Sequence, residues 1–169
     1  MIKTYVILAN AQDEIPINTD ITEQHACKLF DYIVNQANIL DISALRNYNL
    51  EKVALNADIL ICNDSRITEL NREYRGQNKP TDVLTFALFA DSPSNRFIIE
   101  KEICLGEIII SANMAEKQAK EHNKTLEEEI CFLLSHGILH LLGFDHPTES
   151  SLNFMLKIQD EAIKQCLKN

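Results

Sequence analysis

The run Ser135-His136-Gly137-Ile138-Leu139-His140-Leu141-Leu142-Gly143-Phe144-Asp145-His146 constrains the fold more than any other part of the chain. His136 and His140 stand four apart, and on a helix that spacing sets both imidazoles on one face, one turn from each other. Gly143 follows, and glycine takes the left-handed conformation that ends a helix without steric cost. The chain can turn there and bring His146 back towards the other two. Three converging imidazoles with a fourth position open make the layout of a catalytic zinc site, since a structural site usually closes all four. The same stretch carries Leu126, Ile130, Leu133, Leu134, Ile138, Leu141 and Leu142 around its polar face, more apolar surface than a surface helix needs. The histidine helix is therefore expected to be central, a rigid and partly dry seat for a metal. Thr125 with Glu128 three residues later forms a capping box for its start.

The spacing H-x3-H-x2-G-x2-H is also that of the metzincin proteases, which place a glutamate directly after the first histidine as general base. Here that position is Gly137: the metal cage is kept and the protease base is missing. Glycine inside a helix costs about 1 kcal/mol relative to alanine, so it is expected to have a reason, and room for a nucleotide or phosphate beside the metal is the one this reading assigns to it.

With 169 residues the chain is long enough for one domain, and its 46% hydrophobic and 24% charged content is ordinary for a globular protein. No stretch approaches the roughly 20 apolar residues of a membrane span, and the N-terminal segment reads as a strand rather than a signal peptide. Five cysteines, without a C-x-x-C pair, suit free thiols in a reducing cytoplasm. Cys131, five residues before His136, points away from the histidine face and is not counted as a ligand. A net charge of -9 argues against general nucleic-acid binding. The local exception is residues 66–79, where Arg66, Arg72, Arg75 and Lys79 stand against Glu69 and Glu73.

Periodicity gives the order β-α-β-α-β-β-α-α-α. Strands are expected over 4–8, 53–62, 83–86 and 103–110, and helices over 22–38, 65–74, 112–122, from Thr125 past His140, and from Pro147 and Thr148 onwards. Thr22 with Glu23 is read as the first helix start, Asn63 or Asp64 and Ser111 as caps, residues 75–82 and 91–96 as loops. The last helix should bury Leu152, Met155, Leu156, Ala162, Ile163 and Cys166, and the second Ile67, Leu70 and Tyr74. The fold class is α+β: a single domain over residues 1–169, with a mixed sheet of four or five strands packed with helices.

The block from His136 to His146 resembles the HGxLHLxGxDH signature of the YbeY endoribonucleases. Leu70-Asn71-Arg72-Glu73-Tyr74-Arg75 with Thr81-Asp82-Val83-Leu84-Thr85-Phe86 is similar to that family's LNxxYR…TDVLSF segment, and Leu105-Gly106-Glu107-Ile108-Ile109-Ile110-Ser111 to its LGDIxIS segment. Glu107 stands where the family usually has Asp, Thr85 replaces Ser, Ala87 replaces Pro and Asn78 replaces an acidic residue. The resemblance implies a zinc-dependent, single-strand-specific endoribonuclease of ribosomal RNA maturation, notably at the 3′ end of the small-subunit RNA, and of ribosome quality control. It implies one zinc per chain on His136, His140 and His146, with His136 and Arg75 as the catalytic residues, and single-stranded RNA and the small ribosomal subunit or its proteins as partners. DNA and membrane are not expected as partners.

From the residues up, Arg75 offers a planar bidentate grip on a phosphate, or a solvated cation at a helix C-terminus. Asp82 reads as a turn cap before a catalytic acid. Asp145 and Glu107 could each orient a ligand histidine, or be an exposed loop acid and a core-edge acid respectively. Two other classes compete: a zinc metalloprotease-like hydrolase, against which Gly137 counts, and a non-catalytic ribosome-assembly factor with a structural zinc, against which the missing fourth ligand counts.

Overall fold

Strand β1 (Lys3–Asn10) lies parallel to β2 (Ala54–Cys62), and β2 lies parallel to β5 (Glu102–Ser111). Parallel neighbours cannot be joined by a tight turn, and α1 (Thr19–Val34) makes the crossing from β1 to β2. On the far side of β5, β3 (Val83–Phe86) and the short β4 (Ile98–Ile99) run antiparallel to it. The sheet order is β1-β2-β5-β3, with β4 also against β5. The remaining helices are α2 (Asp64–Arg75), α3 (Leu88–Asp91), α4 (Ala112–Glu121), α5 (Leu126–Leu141) and α6 (Glu149–Cys166). These elements are those of a computed structural model, which describes residues 1–92 and 98–168.

One α+β domain with a five-stranded mixed sheet is thus what the sequence pattern predicted. Ile103, Leu105, Ile108 and Ile110 of β5 share one core with Phe30 and Ile33 of α1, Leu134 and Ile138 of α5 and Met155 of α6. On the other face Ile109 meets Cys62, Leu84, and Ile67 and Leu70 of α2. Buried on both sides, β5 is almost continuously apolar. Gly106, at φ +139°, sits where the β2–β5 register slips between Asn56 and Asp58. A Cβ there would overlap the Phe86 carbonyl oxygen, so only glycine lets β5 come this close to the end of β3.

Several boundaries differ from expectation. The first helix starts at Thr19, because the Asn18 side chain accepts from Ile21 N and caps it; Thr22 lies inside, its hydroxyl bonded back to the Asn18 carbonyl. Tyr74 is 60% exposed rather than inward-facing, and rests edge-on against Phe86. Strand β4 and helix α3 are too short to leave a periodic signal. Asp91 closes α3, and residues 93–96 of the expected loop lie outside the described residues.

Candidate metal centre

Helix α5 begins with the predicted capping box: Thr125 Oγ1 accepts from Glu128 N, and Thr125 N donates to the Glu128 carboxylate. It ends at a corner in which Gly143 N donates to the His140 carbonyl at 2.9 Å and Phe144 N to the Leu139 carbonyl at 3.0 Å. That paired closure needs a left-handed residue after the helix, and Gly143 supplies it at φ +91°. The corner is braced from outside by Ala44 N, which donates to the Leu142 carbonyl. It returns His146 to the helix face, so that one ligand nitrogen from each of His136, His140 and His146 lies within 4.8 Å of the others.

The two helix histidines present Nε2 to each other at 2.9 Å. His136 is held from behind by Gln159 of α6, whose Oε1 lies 3.2 Å from His136 Nδ1. Gln159 is buried and its amide nitrogen reaches the Phe132 carbonyl at 3.4 Å, which aims the oxygen at the imidazole. With Nδ1–H donating to that oxygen, the Nε2 lone pair of His136 faces the centre, the tautomer a metal requires. Burial holds His136 below the usual imidazole range. It lowers His140 to about 4, with His136 and His146 adding to the effect. Both are therefore neutral at pH 7, the ligand form. Three imidazole nitrogens converging on one point, one of them oriented from outside, fit a zinc ion.

These histidines floor a cleft of about 720 Å³. Arg75, Thr81, Asp82 and Thr85 line it from α2, β3 and the loop between them, and Phe132, Leu152 and Leu156 from α5 and α6. Arg75 occupies the last turn of α2, which Gly76 ends at φ +68°, and it is exposed towards the cleft. Of the four basic residues in 66–79 only Arg75 lines this cleft, and Arg66 pairs with Glu69 at 3.1 Å. Asp82 is a turn cap, as its position suggested: Oδ1 accepts from Val83 N at 2.7 Å, and Oδ2 from Gln118 Nε2 at 3.1 Å. Asp145 accepts from its neighbour's backbone, His146 N, at 2.8 Å, fixing the corner rather than an imidazole. Glu107 is not beside the histidines. It points to the opposite sheet face, across from Asp58, where burial and then the Asp58 charge push its carboxyl up. Cys131 is buried and outside the histidine group, as expected.

Gly137 departs from its expected role. A Cβ there would lie 2.8–3.0 Å from side-chain atoms of Ile108, so the position faces the sheet and not the cleft. The glycine lets α5 settle onto β5, and makes no room for a ligand. Gln159 was not anticipated, although a lone glutamine among Met155, Ala162 and Cys166 on the buried stripe of α6 was its signal. Leu152 and Leu156, assigned to that stripe, are 36% and 37% exposed and form the apolar cleft wall instead.

Residues 8–167 match the family model described as Endoribonuclease YbeY. A relative named endoribonuclease YbeY from Caldicellulosiruptor bescii is 37% identical over 164 residues, covering 94% of this chain and 95% of its own. One from Synechococcus sp. (strain RCC307) is 47% identical over 115 residues, 68% of this chain and 71% of its own. The solution structure of TM1509 from Thermotoga maritima superposes with a TM-score of 0.60 at 24% identity, covering 96% of this chain and 88% of that one, a likeness of fold. The family model spans nearly the whole chain, and within it the histidine block, the Tyr-Arg segment and the β5 strand converge on one cleft and the sheet beneath it; the chain belongs to the YbeY endoribonuclease family.

Proposed function

We propose that the protein is a zinc-dependent endoribonuclease that cuts single-stranded RNA during ribosomal RNA maturation, at the 3′ end of the small-subunit RNA, and in ribosome quality control. The observation that carries this reading is the open three-histidine centre on the floor of a cleft whose rim holds Arg75; relatives of the same family bear the name endoribonuclease. His136, His140 and His146 would hold one zinc, and Gln159 keeps His136 in the binding tautomer. When bound, zinc supplies Lewis acidity, which relieves charge at a phosphoryl oxygen. Arg75 adds a planar two-pronged grip on a phosphate. Leu152, Leu156 and Phe132 give the bases apolar surface to lie against. His136 and Arg75 are thus the catalytic residues of this reading, and residues 1–169 form one nuclease domain.

A cytoplasmic location is part of this proposal, with the small ribosomal subunit or its proteins as partner. The free cysteines suit that compartment, and no helix among the described residues is long and apolar enough to cross a membrane. A protease reading is disfavoured by Gly137, since a side chain there would run into Ile108 and could not serve the metal as a base.

The test is zinc analysis of the purified protein, joined to cleavage of a single-stranded ribosomal RNA 3′ segment before chelation, after it, and after zinc is restored. One zinc per chain is expected, with cleavage lost and regained. Arg75→Lys should keep zinc yet lose about tenfold or more in rate, the worth of one charge-assisted hydrogen bond. Cleavage indifferent to chelation would refute the zinc dependence, and intact ribosomal RNA processing in cells carrying His136→Ala would refute the enzymatic reading.

A further inference from the structure

We propose that the RNA strand does not end at the histidines but continues over Ala90 and Gly143 into a second cleft, where Arg46 and Tyr48 hold a nucleotide remote from the cut. The inference rests on the endoribonuclease reading of the histidine site. The second cleft measures about 810 Å³ and shares Ala90 and Gly143 with the first as lining, so the two adjoin. The divide between them is built from the smallest residues. A Cβ placed on Gly143 would lie 3.1 Å from the Ala44 Cβ and 3.4 Å from that of Ala90.

Charge distinguishes the second cleft. In a chain of net charge -9 its described lining contains Arg46 and no carboxylate. Arg46 is exposed, its side chain tethered among the described residues only by a 3.5 Å contact to the Ser43 carbonyl, and it can meet a phosphate. Tyr48 is half-buried and fixed edge-on against buried Phe89, with ring centroids 4.9 Å apart. A ring held from one side and open to a cleft is a platform for a base. Single-strand binders combine such platforms with cationic grooves and read little sequence. Asn47 and Asn49 also line the cleft with amide groups able to meet base edges or phosphate oxygens.

The experiment compares binding of 2′-O-methyl single-stranded RNAs of about three and about nine nucleotides to the zinc-loaded full chain, by fluorescence anisotropy. The longer strand should bind about tenfold or more tightly, as expected for one added stacked and paired nucleotide. In Arg46→Gln, and in Tyr48→Leu, the ratio between the two should fall towards one. Arg46→Gln alters only an exposed side chain, so it decides the matter even if Tyr48→Leu is unstable. Equal binding of both strands by the unsubstituted protein, or an undiminished ratio in Arg46→Gln, overturns the second cleft alone. Binding of neither strand overturns the reading of the histidine site, and the second cleft with it.

Discussion

Gly137 shows how one residue can mislead when read along the chain and become plain in space. Removing a glycine from a helix interior should gain about 1 kcal/mol of propensity. Here the added methyl would meet fully buried Ile108, packed in the core beneath α5. Overpacking of that kind costs about 1–3 kcal/mol, so Gly137→Ala should lower stability in denaturant-unfolding curves, and a rise in stability would show that the contact yields. The histidines themselves were legible because four-residue spacing and a following glycine are local facts. Gln159 and the leucine wall were not, because which side of α6 meets the histidines depends on how two helices cross, and stripe residues look alike from the sequence.

Among the elements, the caps were the most readable feature: Asn63, Ser111 and Thr125 each bond the backbone they precede. What joins the first two was not readable, since it comes from the loop after β1. The Glu14 carboxylate accepts from Asn63 Nδ2 at 2.7 Å and from Asn113 Nδ2 at 2.9 Å. Asn113 Oδ1 in turn accepts from Asp64 N, so one acid ties together the N-terminal turns of α2 and α4. These bonds hold Glu14 below its ordinary carboxyl value of 4.5. Its contribution is therefore complete above that value and fades as pH falls through the lower folded value. Glu14→Ala should lower the melting temperature by a few degrees at pH 7, with the difference shrinking in strong acid. A difference that persists unchanged at pH 2 would mean that charge is not what the loop supplies.

At the scale of the whole molecule, the sheet predicted from alternating strands and helices is present, and its edge beside α5 and α6 forms the cleft. Only the folded chain brings the three imidazoles together, so zinc should stabilise it by mass action. At about a hundredfold excess over its dissociation constant the gain is about 2.7 kcal/mol, or roughly 5–10 °C in melting temperature for a chain of this size. Gln159→Leu should weaken zinc binding about 10–100-fold and shrink that shift at fixed zinc; scanning calorimetry with no zinc-dependent shift in the unsubstituted protein would count against the centre. The three histidines are unequally mounted: two ride on a helix seated in the core, and the third stands on a corner past Gly143. An ion bound there would leave when the corner alone swings out, long before α5 lifts from its sheet. Residence time and thermal stability would then be separate properties, the first tuned by the few residues between Leu142 and His146 and the second by everything beneath them.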